Sequence, residues 1–316
     1  MKDFEYVAPR TIREAVSLLA EPGIRSRVMA GGTDLLVQLR AHRFELDRVV
    51  DVKEIPELNE LSFGPRKGLR LGAAVSCRRC YLDPGITARY PGLVDAAAII
   101  GGIQIQGRAS LGGNLCNASP SGDAIPALMV HGALAEVAGP GGRRTVPVAE
   151  FCQGPGRSAL QPDELLVALV LPPPRRHAAG HYQRFIPRRE MDIAVVGVGA
   201  HVELVNGRRL FGRVSLALGA VAPTPVAATE AAAWLTGREV TDEAIVAAAE
   251  MAKTAARPIS DMRGPAEFRL HLVGVLTRRV LQGAVTRARG GFVPNAVQDP
   301  ALAGSPLPVR RPEAAA

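Results

Sequence analysis

Two glycine-rich segments, about eighty residues apart, constrain this chain more than any other feature. The first reads AGGTDLL from Ala30 to Leu36, and the second reads SLGGNLCNASPSGD from Ser110 to Asp123. Glycine pairs let a backbone approach a ligand closely and point its N–H groups at phosphate oxygens. The two segments therefore predict a site for one large cofactor that carries a diphosphate.

The first segment predicts a strand, a tight turn and a helix. Residues 27–30 are β-prone, Gly31 and Gly32 can adopt conformations closed to other residues, and Thr33 is placed to cap a helix that begins near Asp34-Leu35-Leu36. Free N–H groups would then converge where a helix dipole favours an anion. A tight connection without any ligand explains the same residues equally well. The segment completes neither a Walker loop nor the three-glycine dinucleotide fingerprint.

The second segment is longer and more polar, and it is predicted to be a loop after a β-prone run. Gly112, Gly113 and Asn114 are followed by Asn, Ser and Asp side chains and then by the apolar run AIPALMV. Such a stretch can lay amides and hydroxyls along a sugar diphosphate, and Asp123 can accept a hydrogen bond from a ribityl or ribose hydroxyl. It can also be a polar loop that caps the next helix, with Asp123 as the cap. The two interpretations are compatible.

Composition limits the other function classes. A chain of 316 residues with 47% hydrophobic content is long enough for two domains with separate cores. The net charge of +8 is typical of proteins that bind nucleic acid. However, only four of the 38 basic residues are lysines, the arginines are scattered, and aromatic residues make up 4%, which leaves no stacking platform for bases. We expect a solvated basic surface and no nucleic-acid partner.

The sequence carries no targeting or membrane signal. The start MKDFEYVAPR contains acids and lacks an apolar region, and no run approaches the roughly 18 apolar residues of a membrane span. These features predict a cytoplasmic protein without a membrane span.

The cysteines and histidines predict neither a metal site nor a catalytic residue. Four cysteines are too few for a disulfide scaffold in a chain of this size. Cys77 and Cys80 form a CxxC pair, yet no second pair and no histidine pair completes a metal site. The six histidines show no HxxxH or triad-like grouping. The chemistry is therefore assigned to the cofactor.

Hydrophobic periodicity and turn signals divide the chain into four parts. Residues 1–57 are predicted to form a small α/β lobe and residues 58–174 a second lobe, with the cofactor between them. Residues 178–288 have strands followed by helices, which is typical of an α+β module. Residues 289–316 are rich in proline and alanine, have little to bury, and are predicted to be a flexible tail.

Some local signals are specific enough to predict single elements. Thr11 to Glu14 has the pattern of a capping box, which marks the start of the first helix. Asn206 and Gly207 predict a tight hairpin turn between two strands. The other predicted elements are a hydrophobic helix near 124–131, a hairpin around 139–144 and a long helix from Pro265 to about Arg287.

Four ordered segments resemble a known family. They are AGGTDLL, IGGIQIQGRASLGGNLCNASPSGD, YQRFIPRREMDIAVVGVG and ISDMRGPAEFRLHLV. These segments are similar to landmarks of the FAD-binding medium subunit of molybdenum hydroxylases, a family that includes the xanthine dehydrogenase flavin domain and the medium subunit of carbon monoxide dehydrogenase. The likeness covers about residues 1–285. It implies an α+β fold, with a two-lobed FAD-binding domain of the vanillyl-alcohol-oxidase-like (PCMH) type and a C-terminal α+β domain typical of carbon monoxide dehydrogenase flavoproteins.

The resemblance also implies which residues bind FAD. The first glycine turn would bind the pyrophosphate, which here means Val28, Met29, Ala30, Gly31, Gly32, Thr33, Asp34 and Leu35. The second segment would line the rest of the cofactor with Ser110, Leu111, Gly112, Gly113, Asn114 and Asp123. Three further positions would lie nearby: Leu166, Arg184, where several relatives have lysine, and Ile100, where the family often has an aromatic residue. Arg188, Arg189 and Asp192 are interpreted as a structural ion pair.

The resemblance predicts an FAD-binding subunit that relays electrons inside a multi-subunit molybdenum hydroxylase. Its partners would be a molybdenum-cofactor large subunit and a two-iron two-sulfur small subunit, in a dimer of heterotrimers, with an external electron acceptor. Relatives of the 4-hydroxybenzoyl-CoA reductase type carry a cysteine-rich insert that this chain lacks. Two alternatives stay open at this point, namely a self-contained FAD-dependent oxidoreductase of the same fold and a cofactor-free assembly subunit.

Overall fold

The structure is a computed structural model that describes residues 3–188 and 191–295. The first part of the chain alternates strands with helices, and its elements are β1 (Glu5–Val7), α1 (Ile12–Leu19), β2 (Ser26–Met29), α2 (Leu35–Arg40) and β3 (Arg48–Asp51). The strands form a parallel sheet in the order β1-β3-β2, and the central strand is buried along its whole length. Helices connect these strands because parallel neighbours need a crossover.

Helix α1 begins at the predicted capping box. The Glu14 N–H donates to Thr11 Oγ1 at 3.1 Å, and the Thr11 N–H donates to the Glu14 carboxylate at 3.1 Å. Ala15 and Leu19 of the same helix belong to a buried cluster with Val50 of β3. The predicted helix start is confirmed, and the capping bonds orient the apolar stripe of α1 toward the sheet.

The second part contains a larger antiparallel sheet covered by short helices. After a 3₁₀ turn (Pro56–Asn59), its elements are β4 (Leu61–Gly64), β5 (Gly68–Gly72), α3 (Cys77–Leu82), α4 (Pro84–Arg89), α5 (Pro91–Ala97), α6 (Ile103–Gln106), α7 (Leu111–Cys116), α8 (Ala124–Val130), β6 (Leu134–Gly139), β7 (Gly142–Pro147), α9 (Val148–Phe151), β8 (Cys152–Gly154), β9 (Arg157–Ser158) and β10 (Leu165–Leu171). The sheet order is β4-β5-β10-β6-β7, and β8 pairs with β9 alone. The predicted hydrophobic helix (α8) and hairpin (β6 and β7) are confirmed.

The central strand β10 explains how the two lobes share a core. Leu166 and Leu169 belong to the cluster packed under the helices, whereas Leu165 and Val167 belong to the cluster that includes α1 and β3. Because side chains alternate across a strand, one apolar strand can face the helices on one side and the first lobe on the other. The pairing with β6 shifts register between Leu166 and Ala168, and this irregularity lets Leu166 and Leu169, three residues apart, lie on the same face.

The second glycine-rich segment differs from its prediction, because it is helical and not a loop. Gly112, Gly113 and Asn114 lie in α7, which follows helix α6 and not a strand. Ser110 caps α7 by accepting the Gly113 N–H at 3.0 Å. A Cβ on Gly112 would lie 2.5 Å from the Ala73 carbonyl oxygen, so glycine lets this helix pack directly on the chain after β5. The sequence signal for a loop was in fact a signal for close helix packing.

The third part is an antiparallel sheet with helices on one side. Its elements are β11 (Ala178–Phe185), β12 (Val196–Val205), β13 (Leu210–Gly219), β14 (Val226–Ala227), α10 (Thr229–Leu235), α11 (Asp242–Ala252), a 3₁₀ turn (Lys253–Ala255) and α12 (Ala266–Ala288). The predicted hairpin turn is confirmed, with φ of 48° at Asn206 and 68° at Gly207. The predicted long helix is confirmed as α12, whose Leu272, Leu276 and Val280 are buried.

A buried ionic cluster fastens the third part to the second. The Asp95 carboxylate on α5 accepts hydrogen bonds from both Arg287 terminal nitrogens at 2.6 and 2.9 Å, and His181 Nδ1 lies 2.6 Å from it. Burial opposes ionisation of Asp95, but the bonds from His181 and Arg287 lower the pKa of its carboxyl overall. This cluster fixes β11, which carries two residues of the site described next.

The predicted flexible tail is only partly described. Residues 289–292 are exposed, whereas the Val293 carbonyl oxygen accepts a hydrogen bond from Arg287 at 2.9 Å and Asn295 is buried. Residues 296–316 lie outside the described part of the chain. Within the described residues, none of the helices has the length and apolar character that crossing a membrane requires.

Candidate functional site

A cavity of about 820 Å³ lies between the first and second parts of the chain, and the third part borders it. Its volume falls within the roughly 300–1,000 Å³ that is typical of ligand sites. Nearly all of the predicted site residues line it, namely Val28, Met29, Ala30, Gly31, Gly32, Thr33, Asp34, Leu35, Ile100, Ser110, Gly112, Gly113, Asn114, Asp123, Leu166 and Arg184. Leu111 does not, because its side chain is buried in the core under the helices.

The first glycine turn presents unused backbone donors to this cavity. Among the described residues, no protein acceptor is found for the N–H groups of Gly31 through Leu35. The predicted cap at Thr33 is wrong: α2 begins at Leu35, Asp34 occupies the N-cap position, and its side chain makes no capping bond. Because buried or half-buried N–H groups need acceptors, this run of five donors suits an anionic ligand.

The two glycines of the first turn have different roles. A Cβ on Gly31 would lie 2.2 Å from the Arg108 carbonyl oxygen, so this residue lets the two lobes meet backbone to backbone. Gly32 has a φ of 75°, a conformation that glycine adopts without strain. The Arg108 side chain returns across the same junction, with its Nε 3.4 Å from the Gly31 carbonyl oxygen. Gly31 therefore allows the close contact between the two lobes, and Gly32 allows the positive φ of the turn.

In the second glycine segment, the N–H groups of Gly113 and Asn114 already have acceptors within the protein. Ser110 accepts the N–H of Gly113 at 3.0 Å through its hydroxyl and the N–H of Asn114 at 3.0 Å through its carbonyl oxygen. The Asn114 side chain in turn accepts the Ala124 N–H at 3.1 Å, which caps α8. The two central amides of this segment are therefore already bonded within the protein.

Asp123 is not the cap of α8, in contrast to one interpretation of the sequence. Its side chain makes no capping bond; it accepts the Tyr182 hydroxyl at 2.8 Å and the Arg184 guanidinium at 2.5 Å. The side chains of Asp123 and Arg184 are each only 7% exposed. Burial raises the pKa of the Asp123 carboxyl, against the lowering effects of Arg184 and Tyr182. The pair places a polar, nearly charge-neutral wall beside the cavity.

The remaining walls include residues that the sequence analysis missed. Gln38 on α2 donates to the Asn117 side chain at 2.9 Å and so links the lobes across the cavity. Gln153, Arg157 and Ser158 of the β8–β9 hairpin line another side. These residues belong to no recognisable motif, and only the tertiary fold brings the hairpin to the cavity.

The segment before β12 closes the third side of the cavity. Asp192, Ile193 and Ala194 line it, and the predicted ion pair is present between Arg188 and Asp192, at 3.3 Å. The predicted participation of Arg189 lies outside the described residues.

The CxxC pair has the properties of buried core cysteines. Both thiols are fully buried on α3, and burial raises the pKa of Cys77 to about 12 and that of Cys80 further. A reactive cysteine needs an accessible thiolate, and a metal-binding cysteine also has to be deprotonated, which the raised pKa values oppose. Among the described residues, no group of three or more His, Cys, Asp or Glu is arranged to hold a metal ion.

Comparison with known proteins identifies the family. The family model described as "FAD binding domain in molybdopterin dehydrogenase" matches residues 2–174, and that described as "CO dehydrogenase flavoprotein C-terminal domain" matches residues 181–284. The chain is 35% identical to the xanthine dehydrogenase FAD-binding subunit of Escherichia coli O157:H7, over 92% of this chain and 99% of that protein. It is 32% identical to the carbon monoxide dehydrogenase medium chain of Afipia carboxidovorans, over 90% of this chain and 98% of that protein.

Solved structures agree with these matches. Carbon monoxide dehydrogenase from Hydrogenophaga pseudoflava superposes with a TM-score of 0.86 at 30% identity, over 90% of this chain and 98% of that chain. Fold and sequence together define an FAD-binding flavoprotein subunit of the α+β class. The chain belongs to the family of FAD-binding medium subunits of molybdenum hydroxylases. Its cofactor is FAD, it is a subunit of an oxidoreductase complex, and the predicted fold class is confirmed.

Proposed function

We propose that this chain holds FAD in the cavity between its two N-terminal lobes and relays electrons from an iron–sulfur subunit to an external acceptor. The complex would contain a molybdenum-cofactor large subunit and a two-iron two-sulfur small subunit, arranged as a dimer of heterotrimers. The relatives described above are themselves named as a FAD-binding subunit and a medium chain, which supports membership of a multi-subunit enzyme. The cytoplasmic location stays a prediction.

The main support for the cavity as the FAD site is the run of free amides from Gly31 to Leu35. FAD carries a diphosphate, and five N–H groups on one wall, which have no acceptor within residues 3–188 and 191–295, offer the donors that its oxygens need. The other features of the cavity fit the rest of the cofactor. Ile100 and Leu166 provide apolar surface for a flat ring, and Asp123 with Arg184 provides polar groups nearby.

When bound, FAD supplies the redox chemistry, and the chain supplies binding and orientation. The Gly31–Leu35 amides would bind the diphosphate, and the Gln38–Asn117 hydrogen bond would keep the lobes closed over it. The Asp123–Arg184 pair would set the electrostatics beside the ring, since a buried charge pair acts in a low dielectric. We assign no protein residue to proton transfer or covalent catalysis.

The test is to purify the chain alone and together with molybdenum and iron–sulfur subunits, and to record visible spectra. We expect one complex with both flavin and iron–sulfur absorbance. Mixing the dithionite-reduced iron–sulfur subunit with the FAD-loaded chain should bleach the flavin. A lone yellow chain that completes a catalytic cycle would instead support the self-contained oxidoreductase. A protein that stays colourless with its partners and added FAD would support the assembly subunit.

A further inference from the structure

A second cleft, of about 610 Å³, lies beside the hairpin turn between β12 and β13, and we call it the basic cleft. It is lined by Arg208, Arg209, Arg289, His177 and the hairpin residues 204–207. The lining residues that the structure describes include no Asp or Glu. A concave surface that carries three arginines and no carboxylate is suited to an anionic ligand.

The basic cleft is separate from the FAD cavity, and the two share no lining residue. His177 of the cleft directly precedes β11, whereas Arg184 of the cavity lies near the other end of the same strand. At about 3.3 Å per residue along a strand, the two sites lie roughly 20 to 25 Å apart. A ligand in the basic cleft would therefore be distinct from the cofactor.

Two of the arginines are held in place by each other's backbone. Arg208 Nη1 donates to the Arg289 carbonyl oxygen at 2.7 Å, and Arg289 Nη2 lies 3.4 Å from the Arg208 carbonyl oxygen. These contacts use one N–H group of each guanidinium, so the other donors stay available. Because both guanidinium groups are already positioned, binding an anion between them carries a lower entropic cost.

The surroundings leave the positive charge of the cleft uncompensated. Glu203, which precedes the hairpin, is already paired with Arg175 at 3.1 Å. The Arg209 guanidinium has neither an ion pair nor a hydrogen bond with any residue that the structure describes. Burial lowers the pKa of His177, and the positive charge of Arg208 lowers it further. Since the cationic groups repel one another, an anion between them would be favourable.

The cleft also offers apolar surface beside the arginines. Leu204 is buried, and the next residue, Val205, is 42% exposed. Planar guanidinium groups bind phosphate oxygens in pairs. A phosphate monoester carries about two negative charges at neutral pH and presents several acceptor oxygens, so it matches more than one arginine, whereas a carboxylate carries a single charge.

We propose that the basic cleft binds a small organic phosphate monoester. Arg208 and Arg289 would donate to the phosphate oxygens, Arg209 would add a third positive charge, and the organic part would lie against Val205. This second ligand site does not depend on the proposed electron relay, because its residues take no part in the FAD cavity.

The test is isothermal titration of the full chain with phenyl phosphate at constant ionic strength. The chain is loaded with FAD beforehand, so that the probe cannot occupy the cofactor cavity. We expect one phenyl phosphate per chain, and at least tenfold weaker binding to Arg208→Gln and Arg289→Gln. The matched control is Arg13→Gln, which removes the same charge from an exposed position on α1 and should bind like the wild type.

A further variant keeps the contacts between the two arginines intact. Asn206→Asp places a carboxylate in the cleft, and aspartate, like asparagine, tolerates the φ of 48° at this position. We expect at least tenfold weaker binding of phenyl phosphate with an unchanged melting temperature. If the arginine variants melt at lower temperature than the wild type, Asn206→Asp decides the outcome, and wild-type affinity in it would overturn the site.

The other outcomes also have defined meanings. A wild-type chain that binds no phenyl phosphate, or cleft variants that bind it as the wild type does, would overturn the proposal. So would an equal loss of affinity in Arg13→Gln, which would indicate a general effect of net charge. Benzoate that binds as tightly as phenyl phosphate would overturn it in favour of a carboxylate ligand, and inorganic phosphate that binds as tightly would overturn it in favour of the free ion.

Discussion

The two glycine-rich segments look alike in sequence but differ in how many of their central N–H groups already have acceptors within the protein. In the first, the N–H groups from Gly31 to Leu35 have no protein acceptor among the described residues. In the second, Ser110 takes the N–H groups of Gly113 and Asn114. A glycine pair alone therefore does not reveal an anion site. What matters is whether a neighbouring side chain has already satisfied the amides.

The segments are also held in place differently. The first depends on backbone contact between the lobes at Gly31 and Arg108. The second is held by side chains from a distant part of the chain, since Asp123 binds Tyr182 and Arg184 of β11. We therefore expect substitutions in the first segment to affect binding through the junction, and those at Asp123 to affect stability most.

The largest effect is expected from Asp123→Asn. It keeps the side-chain shape but leaves Arg184 buried without its counter-charge, which typically costs about 3 kcal/mol or more of unfolding free energy. Urea denaturation measures the loss. The double variant with Arg184→Met should recover much of it, because no charge then stays buried alone. A loss below about 1 kcal/mol in Asp123→Asn would show that β11 does not hold this segment.

The next effect is expected from Gly31→Ala. The added methyl would lie 2.2 Å from a backbone oxygen that no rotamer change can move, so we expect about 2 to 3 kcal/mol of destabilisation and loss of FAD. Gly107→Ala is the matched control, because its Cβ would meet nothing within 4 Å and its φ is −69°. Thermal unfolding and flavin content would be measured on both. Equal behaviour of the two variants would contradict a tight lobe junction at Gly31.

A smaller effect is expected from Gly113→Ala, which should weaken FAD binding without lowering stability. A Cβ there would meet only Ser110 Oγ, at 3.1 Å, and would otherwise enter open space beside the cavity that Gly113 lines. Because alanine favours helix over glycine, stability should be unchanged or slightly higher. FAD affinity, measured by fluorescence titration, should fall about tenfold, which is about 1.4 kcal/mol. Unchanged affinity would mean that FAD does not approach α7 here.

The smallest effect is expected from Asp34→Asn in the first segment. Partial desolvation raises the pKa of the Asp34 carboxyl, and a bound diphosphate would raise it further by repulsion. A pKa that is higher in the bound state means that FAD binding takes up protons and tightens as the pH falls. The Asn variant should lose this pH dependence and bind FAD a few times more tightly at neutral pH. Isothermal titration in buffers of different ionisation enthalpy detects the proton uptake, and its absence in the wild type would contradict the prediction.

Much of the fold was predictable from local signals. The capping box at Thr11 and Glu14, the Asn206-Gly207 turn and the stripe of α12 each encode one element through neighbouring residues. The predicted α+β class and FAD cofactor were confirmed by the family comparison. The capping box, the hairpin turn and the helix stripe depend on few tertiary contacts, which is why the sequence alone was sufficient to predict them.

The predictions that differ from the structure concern helix caps and side-chain exposure, which tertiary contacts decide. Thr33 has the right residue type for a cap, but α2 begins at Leu35 with Asp34 in the N-cap position, and the amides stay open. Asp123 is replaced as a cap by Asn114, because Asp123 pairs with Arg184 across the fold. The predicted role of Leu111 beside FAD stays a prediction, but its side chain points into the core although the preceding Ser110 lines the cavity. Adjacent positions in a helix face different directions, so membership of a motif does not fix exposure.

The most direct test of the central claim is an experimental structure of the chain with FAD bound. We predict diphosphate oxygens within hydrogen-bonding distance of the N–H groups between Gly31 and Leu35, with the ring system toward Ile100 and Leu166. A diphosphate held against α7, with the first turn free of contacts, would contradict the account.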